Sequence, residues 1–158
     1  VEATVEPDFE ARIPETYVGN VAERLNLYSA LSAINDEEIL ESFTLELVDR
    51  FGDMPKAVRN LVWSVKLKIA AQNLYAEKVK IRDKEIFLYF NNNLGEEFYQ
   101  APTFGTIMSS VNQEPEHFSF KQGKNHLILA VKGYHDFRST LEKIKELGST
   151  ITDPSSKQ

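Results

Sequence analysis

The fold class follows from the stretch Lys78-Val79-Lys80-Ile81-Arg82-Asp83-Lys84-Glu85-Ile86-Phe87-Leu88-Tyr89-Phe90. Polar and apolar residues alternate over 78–82, which is the period of a half-buried β-strand. Asp83-Lys84 has the length of a tight hairpin turn. Residues 85–90 are rich in aromatic and β-branched side chains, which favour a more buried strand. The stretch therefore predicts a β-hairpin.

Before this hairpin the apolar residues recur at helical spacing. They predict three helices, at about 18–33, 35–51 and 55–75. In the second helix, Asn35 with Glu38 three residues later forms a capping box, and Gly52 ends the helix. The predicted apolar stripe of the first helix is Val18, Val21, Leu25, Tyr28 and Leu31. The predicted core face of the second is Ile39, Leu40, Phe43, Leu47 and Phe51.

After the hairpin the pattern predicts one long or one broken helix over 95–112. A second hairpin turns around Gly123 and joins 118–120 to 127–131, and a last helix covers about 135–147. The class is therefore α+β: an N-terminal three-helix segment, then two strand–strand–helix units that form a mostly antiparallel sheet with helices packed on one face.

The predicted organisation has three parts. Residues 1–17 form an extended entry arm with a short strand at 9–13, residues 18–148 form a single α+β domain, and the polar residues 149–158 form a disordered tail. A length of 158 residues suits one domain. Because the chain starts at Val1 without a signal segment, we expect a fragment of a longer protein.

Charge is distributed unevenly along the chain, whose net charge is −6. Residues 1–50 hold 12 acidic and 3 basic side chains, a net charge of −9, and residues 51–158 hold 12 acidic and 15 basic ones, a net charge of +3. The acidic half would repel phosphates, so it suits a basic protein surface better than nucleic acid. The absence of cysteine excludes disulfides and thiolate metal sites.

The sequence contains no motif that predicts catalysis. His117, His126 and His135 are spaced by nine residues, which matches no metal-ligand pattern and predicts surface or structural roles. No Walker A or Gly-x-Gly-x-x-Gly motif is present, so no nucleotide or other cofactor is predicted for this chain. We therefore expect a chain with no enzymatic activity, no catalytic residues and no metal site.

A basic stretch leaves two interpretations open. Between residues 55 and 84 there are eight Lys or Arg and two acidic residues, and Lys78, Lys80, Arg82 and Lys84 lie close together. The first interpretation is a solvated face that also protects an edge strand. The second is a nucleic-acid-binding module that uses the basic hairpin 78–84.

The second helix carries a polar flank beside its core face. With Leu47 at the centre of that face, Glu46 and Arg50 lie on one flank as an i,i+4 pair and Asp49 lies further out. An exposed pair of this kind contributes only about 0.3–0.5 kcal/mol. Geometry alone therefore indicates a solvated flank.

Several motifs resemble the C-terminal (TRCF) domain of Mfd, the bacterial transcription-repair coupling factor family. The most distinctive is Glu46-Leu47-Val48-Asp49-Arg50-Phe51-Gly52, followed by Met54-Pro55. The similarity also includes Ile13-Pro14 and Arg24-Leu25-Asn26-Leu27-Tyr28, and it covers about residues 12–75. The β-rich half is compatible but carries no diagnostic motif.

The resemblance implies a non-enzymatic, autoinhibitory domain in the bacterial cytoplasm. In this family the parent is an ATP-dependent DNA translocase, whose ATP and Mg²⁺ belong to other domains, as does binding of RNA polymerase and DNA. The C-terminal domain docks on the UvrB-like N-terminal module of the same protein and masks its UvrA-binding surface. The acidic, acidic, basic contact set of the family maps to Glu46, Asp49 and Arg50. The resemblance also implies a monomeric isolated domain and no membrane partner.

Overall fold

A computed structural model of the chain describes residues 2–134 and 136–152. Its helices are α1 (Val21–Ser32), α2 (Glu37–Phe51), α3 (Lys56–Asn73), α4 (Gly95–Gln100), α5 (Pro102–Gln113) and α6 (Phe137–Thr152). Its strands are β1 (Thr4–Glu6), β2 (Lys78–Arg82), β3 (Glu85–Asn91), β4 (Phe118–Gln122) and β5 (His126–Val131). Within the described ranges, no helix has the length and apolar character needed to cross a membrane.

The predicted α+β class is confirmed. The strands form one mixed sheet in the order β1-β2-β3-β5-β4, in which β1 pairs with β2 in parallel and the other pairs are antiparallel. The chain divides into two compact units instead of the single domain expected for 18–148. We call Phe9–Ile69 the helical unit, and Val1–Asp8 with Ala70–Gln158 the sheet unit.

The helical unit is built around a continuous apolar core. Its buried residues are Ile13, Val18, Leu27, Leu31, Ile34, Leu40, Leu47, Val58, Val62, Val65 and Ile69. Phe43 and Phe51, predicted to be core residues, are only partly buried and pack against this cluster. The core therefore fixes the position of α2, which carries the predicted docking residues.

The buried faces of α1 and α2 differ in part from the prediction. Val21 and Leu25 are 60% and 63% exposed, whereas Leu27, outside the predicted stripe, is buried. Leu25 and Leu27 point to opposite sides because two helical positions differ by about 200°. The predicted stripe was therefore wrong at Val21 and Leu25, whereas Val18 and Leu31 are buried as predicted. Ile39 is also exposed.

The caps show which side chains start and end α2. Asp36, not Asn35, is the N-cap, because its side chain accepts hydrogen bonds from the backbone N–H groups of Glu38 and Ile39. The predicted capping box at Asn35 was therefore wrong by one residue. Gly52 ends the helix as predicted, with a φ of +89° that side chains adopt only with strain.

Both predicted hairpins are confirmed in the sheet unit. Asp83 and Lys84 form the first turn with φ values of +51° and +69°, and β4 and β5 form the second hairpin. The predicted strand at 9–13 was wrong: the entry strand is β1, which pairs with β2. The segment 95–112 is a broken helix, because Pro102 starts α5 directly after α4.

One face of the sheet carries the core of this unit. Its buried side chains are Val79, Ile81, Ile86, Leu88, Phe90, Phe118, Leu129 and Val131, with Ile107, Leu141 and Ile144 from α5 and α6. Helix α6 extends to Thr152, past the predicted end at 147 and into the segment 149–158 predicted as a disordered tail. Residues 153–158 of that predicted tail lie outside the described residues.

Candidate functional site

The predicted docking residues lie together on the second half of α2. Glu46, Asp49 and Arg50 are all exposed, whereas Leu47 between them is 2% exposed and anchors the helix in the core. The three charged side chains are therefore displayed by a helix that does not depend on them for its packing.

Arg50 makes its ion pair across to α1. The predicted i,i+4 pairing with Glu46 was wrong, because the guanidinium of Arg50 bonds the carboxylate of Glu23. The guanidinium also lies over the Phe51 ring, 4.7 Å from its centroid, which is a cation–π geometry. Arg50 is thus held in one position by a charge on one side and a ring on the other.

The C-terminal end of α2 is fixed by Tyr17. Its hydroxyl donates to the carbonyl oxygen of Gly52 at 2.7 Å, and its ring packs on Phe51 with centroids 5.8 Å apart. Burial, reinforced by the negative charge of Asp53, raises the pKa of Tyr17. The phenol therefore stays protonated at neutral pH and keeps its donated hydrogen bond.

A groove of about 350 Å³ separates α1 from α2. Its α1 wall is formed by Glu23, Asn26, Leu27 and Ala30, and its α2 wall by Phe43, Glu46, Leu47 and Arg50. The groove thus has apolar residues together with the carboxylates of Glu23 and Glu46 and the guanidinium of Arg50, which is paired with Glu23. Such a lining suits a long cationic side chain, whose stem is apolar and whose head is charged.

The structure brings two of the three predicted residues to this groove. Glu46 and Arg50 line it, whereas Asp49 is exposed on α2 but is not part of the lining. Two further features were missed from the sequence. Glu23 joins the site through Arg50, and Leu45, four residues before Asp49, is 68% exposed. The exposed side chain of Leu45 adds apolar surface to an otherwise charged part of α2.

The histidines with described positions make structural contacts. The ring of His117 stacks on Tyr134 with centroids 4.1 Å apart, and its Nδ1 donates to the Lys132 carbonyl oxygen at 2.8 Å. His126 Nε2 lies 2.5 Å from a carboxylate oxygen of Glu77. Both contacts are ones that a structural histidine makes, while His135 lies outside the described residues. No group of three metal-ligating side chains occurs in the described part of the chain.

The basic residues of the first hairpin are distributed as the alternation predicted. Lys78, Lys80 and Arg82 share one face of β2, and Val79 and Ile81 are buried on the other. Lys84 lies in the turn. The interpretation of β2 as a protected edge strand was wrong, because β2 has β1 on one side and β3 on the other.

Comparison with known proteins places the chain in a family. The family model described as the TRCF domain matches residues 8–101, which is more than half of the chain. The chain therefore belongs to the TRCF domain family, the class of domain found in transcription-repair coupling factors. A crystal structure of the C-terminal domain of a transcription-repair coupling factor superposes with a TM-score of 0.73 over 99% of this chain and 98% of that chain, at 18% identity. At that identity the likeness concerns the fold.

Its curated relatives carry the name transcription-repair-coupling factor. The protein from Staphylococcus haemolyticus is 29% identical over 133 residues, which are 80% of this chain and 11% of that protein. The Escherichia coli protein is 26% identical over 117 residues, 74% of this chain and 10% of that protein. The Rickettsia bellii protein is 33% identical over 81 residues, 51% and 7% respectively. The chain thus spans about a tenth of the length of these relatives.

Proposed function

We propose that this chain is a non-enzymatic regulatory domain of a bacterial transcription-repair coupling factor, and that it docks through α2 on the UvrB-like module of the same protein. In that position it masks the surface that binds UvrA. ATP and Mg²⁺ are assigned to the motor domains of the parent, and RNA polymerase and DNA to other domains. No cofactor is assigned to this chain. The site of action is the cytoplasm.

The observation that carries this proposal is the position of Glu46, Asp49 and Arg50. They are the residues that match the contact set of the family, and all three are exposed on one rigid helix. Leu40 and Leu47 hold that helix in the core from the opposite side. A docked partner therefore meets a preformed surface and loses little conformational entropy in ordering it.

The charge of the surface indicates the chemistry of the partner. Residues 1–50 carry a net charge of −9, and Glu23 and Glu46 line the groove. A basic patch on the partner complements this surface, and Asp49 extends the contact beyond the groove. A charged interface of modest size is also one that can open, which a masking domain requires.

Release of the domain is a population shift. Engagement of RNA polymerase and DNA by other domains favours the undocked state, and UvrA then binds the exposed surface. The domain and UvrA compete for one surface, so each weakens the binding of the other.

The test is a triple variant, Glu46→Ala, Asp49→Ala and Arg50→Ala, in the full-length parent protein. We expect it to fold normally and to capture more UvrA in the absence of RNA polymerase, because the masked surface is exposed. The matched control is Glu41→Ala, which changes the net charge by the same +1 at an exposed position of α2 outside the groove.

The readout is a UvrA pull-down with circular dichroism of each variant. Unchanged UvrA capture by a folded triple variant contradicts the docking role and returns these residues to an ordinary solvated flank. Equal capture by the triple variant and by Glu41→Ala means that net charge alone acts, and it also contradicts the proposal.

A further inference from the structure

The sheet unit has a second face, opposite the core described above, on which Ile128 and Ala130 of β5 are buried but the aromatic residues of β3 are only partly buried. Residues of β2 and β3 alternate between buried and partly exposed positions, and the buried ones form the core described above. The partly exposed positions of β3 include Phe87 and Tyr89. Because β3 is the central strand of the five, these two rings lie in the middle of the opposite face. We call this the open face.

The strand register gives the neighbours of each ring. Tyr89 is paired with Lys78 on β2 and with Ile128 on β5, and Ile128 is paired with Lys121 on β4. Paired residues project from the same face of a sheet. The row through Tyr89 therefore contains a lysine on each side of an aromatic and apolar centre.

The next row repeats this arrangement on one side. Phe87 is paired with Lys80 on β2 and with Ala130 on β5. The ammonium groups of Lys78 and Lys80 lie 5.4 and 5.5 Å from the centroid of the Tyr89 ring. Two neighbouring rings thus lie in reach of flexible cations.

One carboxylate partly compensates these cations. On β1, Glu6 Oε1 lies 3.5 Å from the Lys78 ammonium, and Glu6 Oε2 lies 3.8 Å from Lys80 and 3.7 Å from Arg82. Glu6 therefore partly neutralises Lys78, Lys80 and Arg82. The distances are long and the side chains partly exposed, so each contact is weak.

Two other carboxylates lie at the ends of the β2–β3 ladder. Glu85 is paired with Arg82, and Glu77 is bonded to His126. Neither belongs to the rows through Phe87 and Tyr89. The His126 ring meets the Tyr89 ring edge-on, with centroids 5.4 Å apart, and the charge of Glu77 also acts on Lys78. The centre of the open face thus combines two rings and three lysines with a carboxylate at its margin.

We propose that the open face binds single-stranded nucleic acid. Unpaired bases stack on Tyr89 and Phe87, and the phosphates between them contact Lys78, Lys80 and Lys121. Partly exposed rings on the central strand of a sheet, flanked by cations, are suited to this ligand because every base offers a flat apolar surface. A duplex does not fit, because its bases are already stacked on one another.

Glu6 acts as a competitor in this arrangement. Its carboxylate forms ion pairs with the lysines that the phosphates would contact. Binding of a nucleic-acid strand therefore displaces the carboxylate from Lys78 and Lys80. Removing this charge should therefore strengthen binding, whereas removing a residue that only supports the sheet would not.

The test uses the chain itself and labelled oligothymidylate and oligouridylate of about 12 nucleotides, with a duplex of the same length. Binding is followed by fluorescence anisotropy. If three lysines contact phosphates, the logarithm of the affinity falls with the logarithm of the salt concentration at a slope of about −2. Tighter binding of oligothymidylate identifies DNA as the ligand, and tighter binding of oligouridylate identifies RNA. Both outcomes support the proposal.

Four variants separate stacking, charge and competition. Tyr89→Leu keeps an apolar side chain and should weaken binding about tenfold, because stacking on one ring is lost. Lys80→Gln should weaken binding severalfold, and Glu6→Gln should strengthen it. The control for the ring is Tyr99→Leu, an exposed tyrosine of α4 that lies outside the open face, and it should leave binding unchanged. Circular dichroism shows that each variant is folded.

The proposal is overturned if the native chain binds neither oligonucleotide at low salt. It is also overturned if the duplex binds as tightly as the single strands, or if Tyr99→Leu weakens binding as much as Tyr89→Leu does. Weaker binding by Glu6→Gln would show that the carboxylate does not compete with phosphate and would contradict the arrangement.

Discussion

Arg50 of α2 is bonded to Glu23 of α1, a residue 27 positions earlier in the chain. The pair joins the two helices that form the groove, and it adds a fourth charged residue to the proposed docking site. Glu23 therefore influences how freely the Arg50 guanidinium can turn to an approaching partner.

The coupling between these two charges can be measured with a double-mutant cycle. We expect Glu23→Gln, Arg50→Gln and their combination to give a coupling below about 1 kcal/mol, because both side chains are partly exposed. The coupling should decrease in about 1 M salt, which screens exposed charges. Urea unfolding followed by Trp63, the single tryptophan, measures it in the helical unit. A coupling that salt does not change contradicts an exposed ion pair.

The buried face of α2 is tested by a pair of truncations. Leu47→Ala should lower the free energy of unfolding by about 2–5 kcal/mol, because the side chain is 2% exposed and leaves a cavity. Ile39→Ala, at a position that is 58% exposed, should lower it by less than about 0.5 kcal/mol. Phe43→Ala and Phe51→Ala should fall between them. Equal losses for Leu47 and Ile39 contradict the assignment of the face.

The N-cap of α2 predicts a residue-specific effect. Asp36→Ala should lower the free energy of unfolding by about 1 kcal/mol, because the N–H groups of Glu38 and Ile39 lose their acceptor. Asp36→Asn should lower it far less, since an amide oxygen also caps helices well. Chemical denaturation of the two variants decides this. A similar loss in both means that the charge matters more than the hydrogen bonds.

Glu77 should make part of the stability depend on pH. The hydrogen bond from His126, with a smaller contribution from Asn91, lowers the pKa of Glu77 below the ordinary value of a glutamate, although burial acts in the opposite direction. A lowered folded-state pKa stabilises the protein above the unfolded-state value, and this stabilisation is lost as the pH falls through the folded-state value.

The measurement compares the native chain with Glu77→Gln. The stability advantage of the native chain should be present near pH 6 and should decrease below about pH 4.5, where the carboxyl group becomes protonated and resembles the amide. Urea titrations across this range provide the readout. A difference that stays constant down to about pH 3 contradicts the role of the Glu77 charge.

The sequence was most informative where short-range chemistry decides the structure. The turn at Asp83-Lys84, the glycine at 52 and the proline at 102 each mark where an element starts or ends, and the structure agrees at all three. These signals are local, because they depend on the backbone conformations that one or two residues favour.

The errors in the prediction arose where contacts between residues far apart in the sequence decide the structure. In α1 two apolar stripes compete, and the hydrogen bond from the Ile13 N–H to the Tyr28 hydroxyl, 2.7 Å long, occurs on the flank that the prediction had buried. The three-residue strand β1 is too short to show a period, and its partner is more than 70 residues away. Glu23 was missed for the same reason, since no spacing rule links it to Arg50.

The family resemblance predicted that Glu46, Asp49 and Arg50 are docking residues, whereas the spacing of residues in α2 indicated only a solvated flank. The fold explains why that pattern was ambiguous. Glu46 and Arg50 are solvated, as a flank should be, and they also line a groove whose second wall comes from another helix. Only the tertiary structure unites these two properties.

The parallel pairing of β1 with β2 has a kinetic consequence. The helical unit is contiguous in sequence. In the sheet unit, Thr4 pairs with Lys78, and the whole helical unit lies between these two residues in the sequence. Contacts of such long sequence separation form slowly, because a large loop must close before any hydrogen bond is gained. The helical unit can thus fold first as a local event, whereas in a nascent chain the pairing of β1 has to wait until β2 has been synthesised.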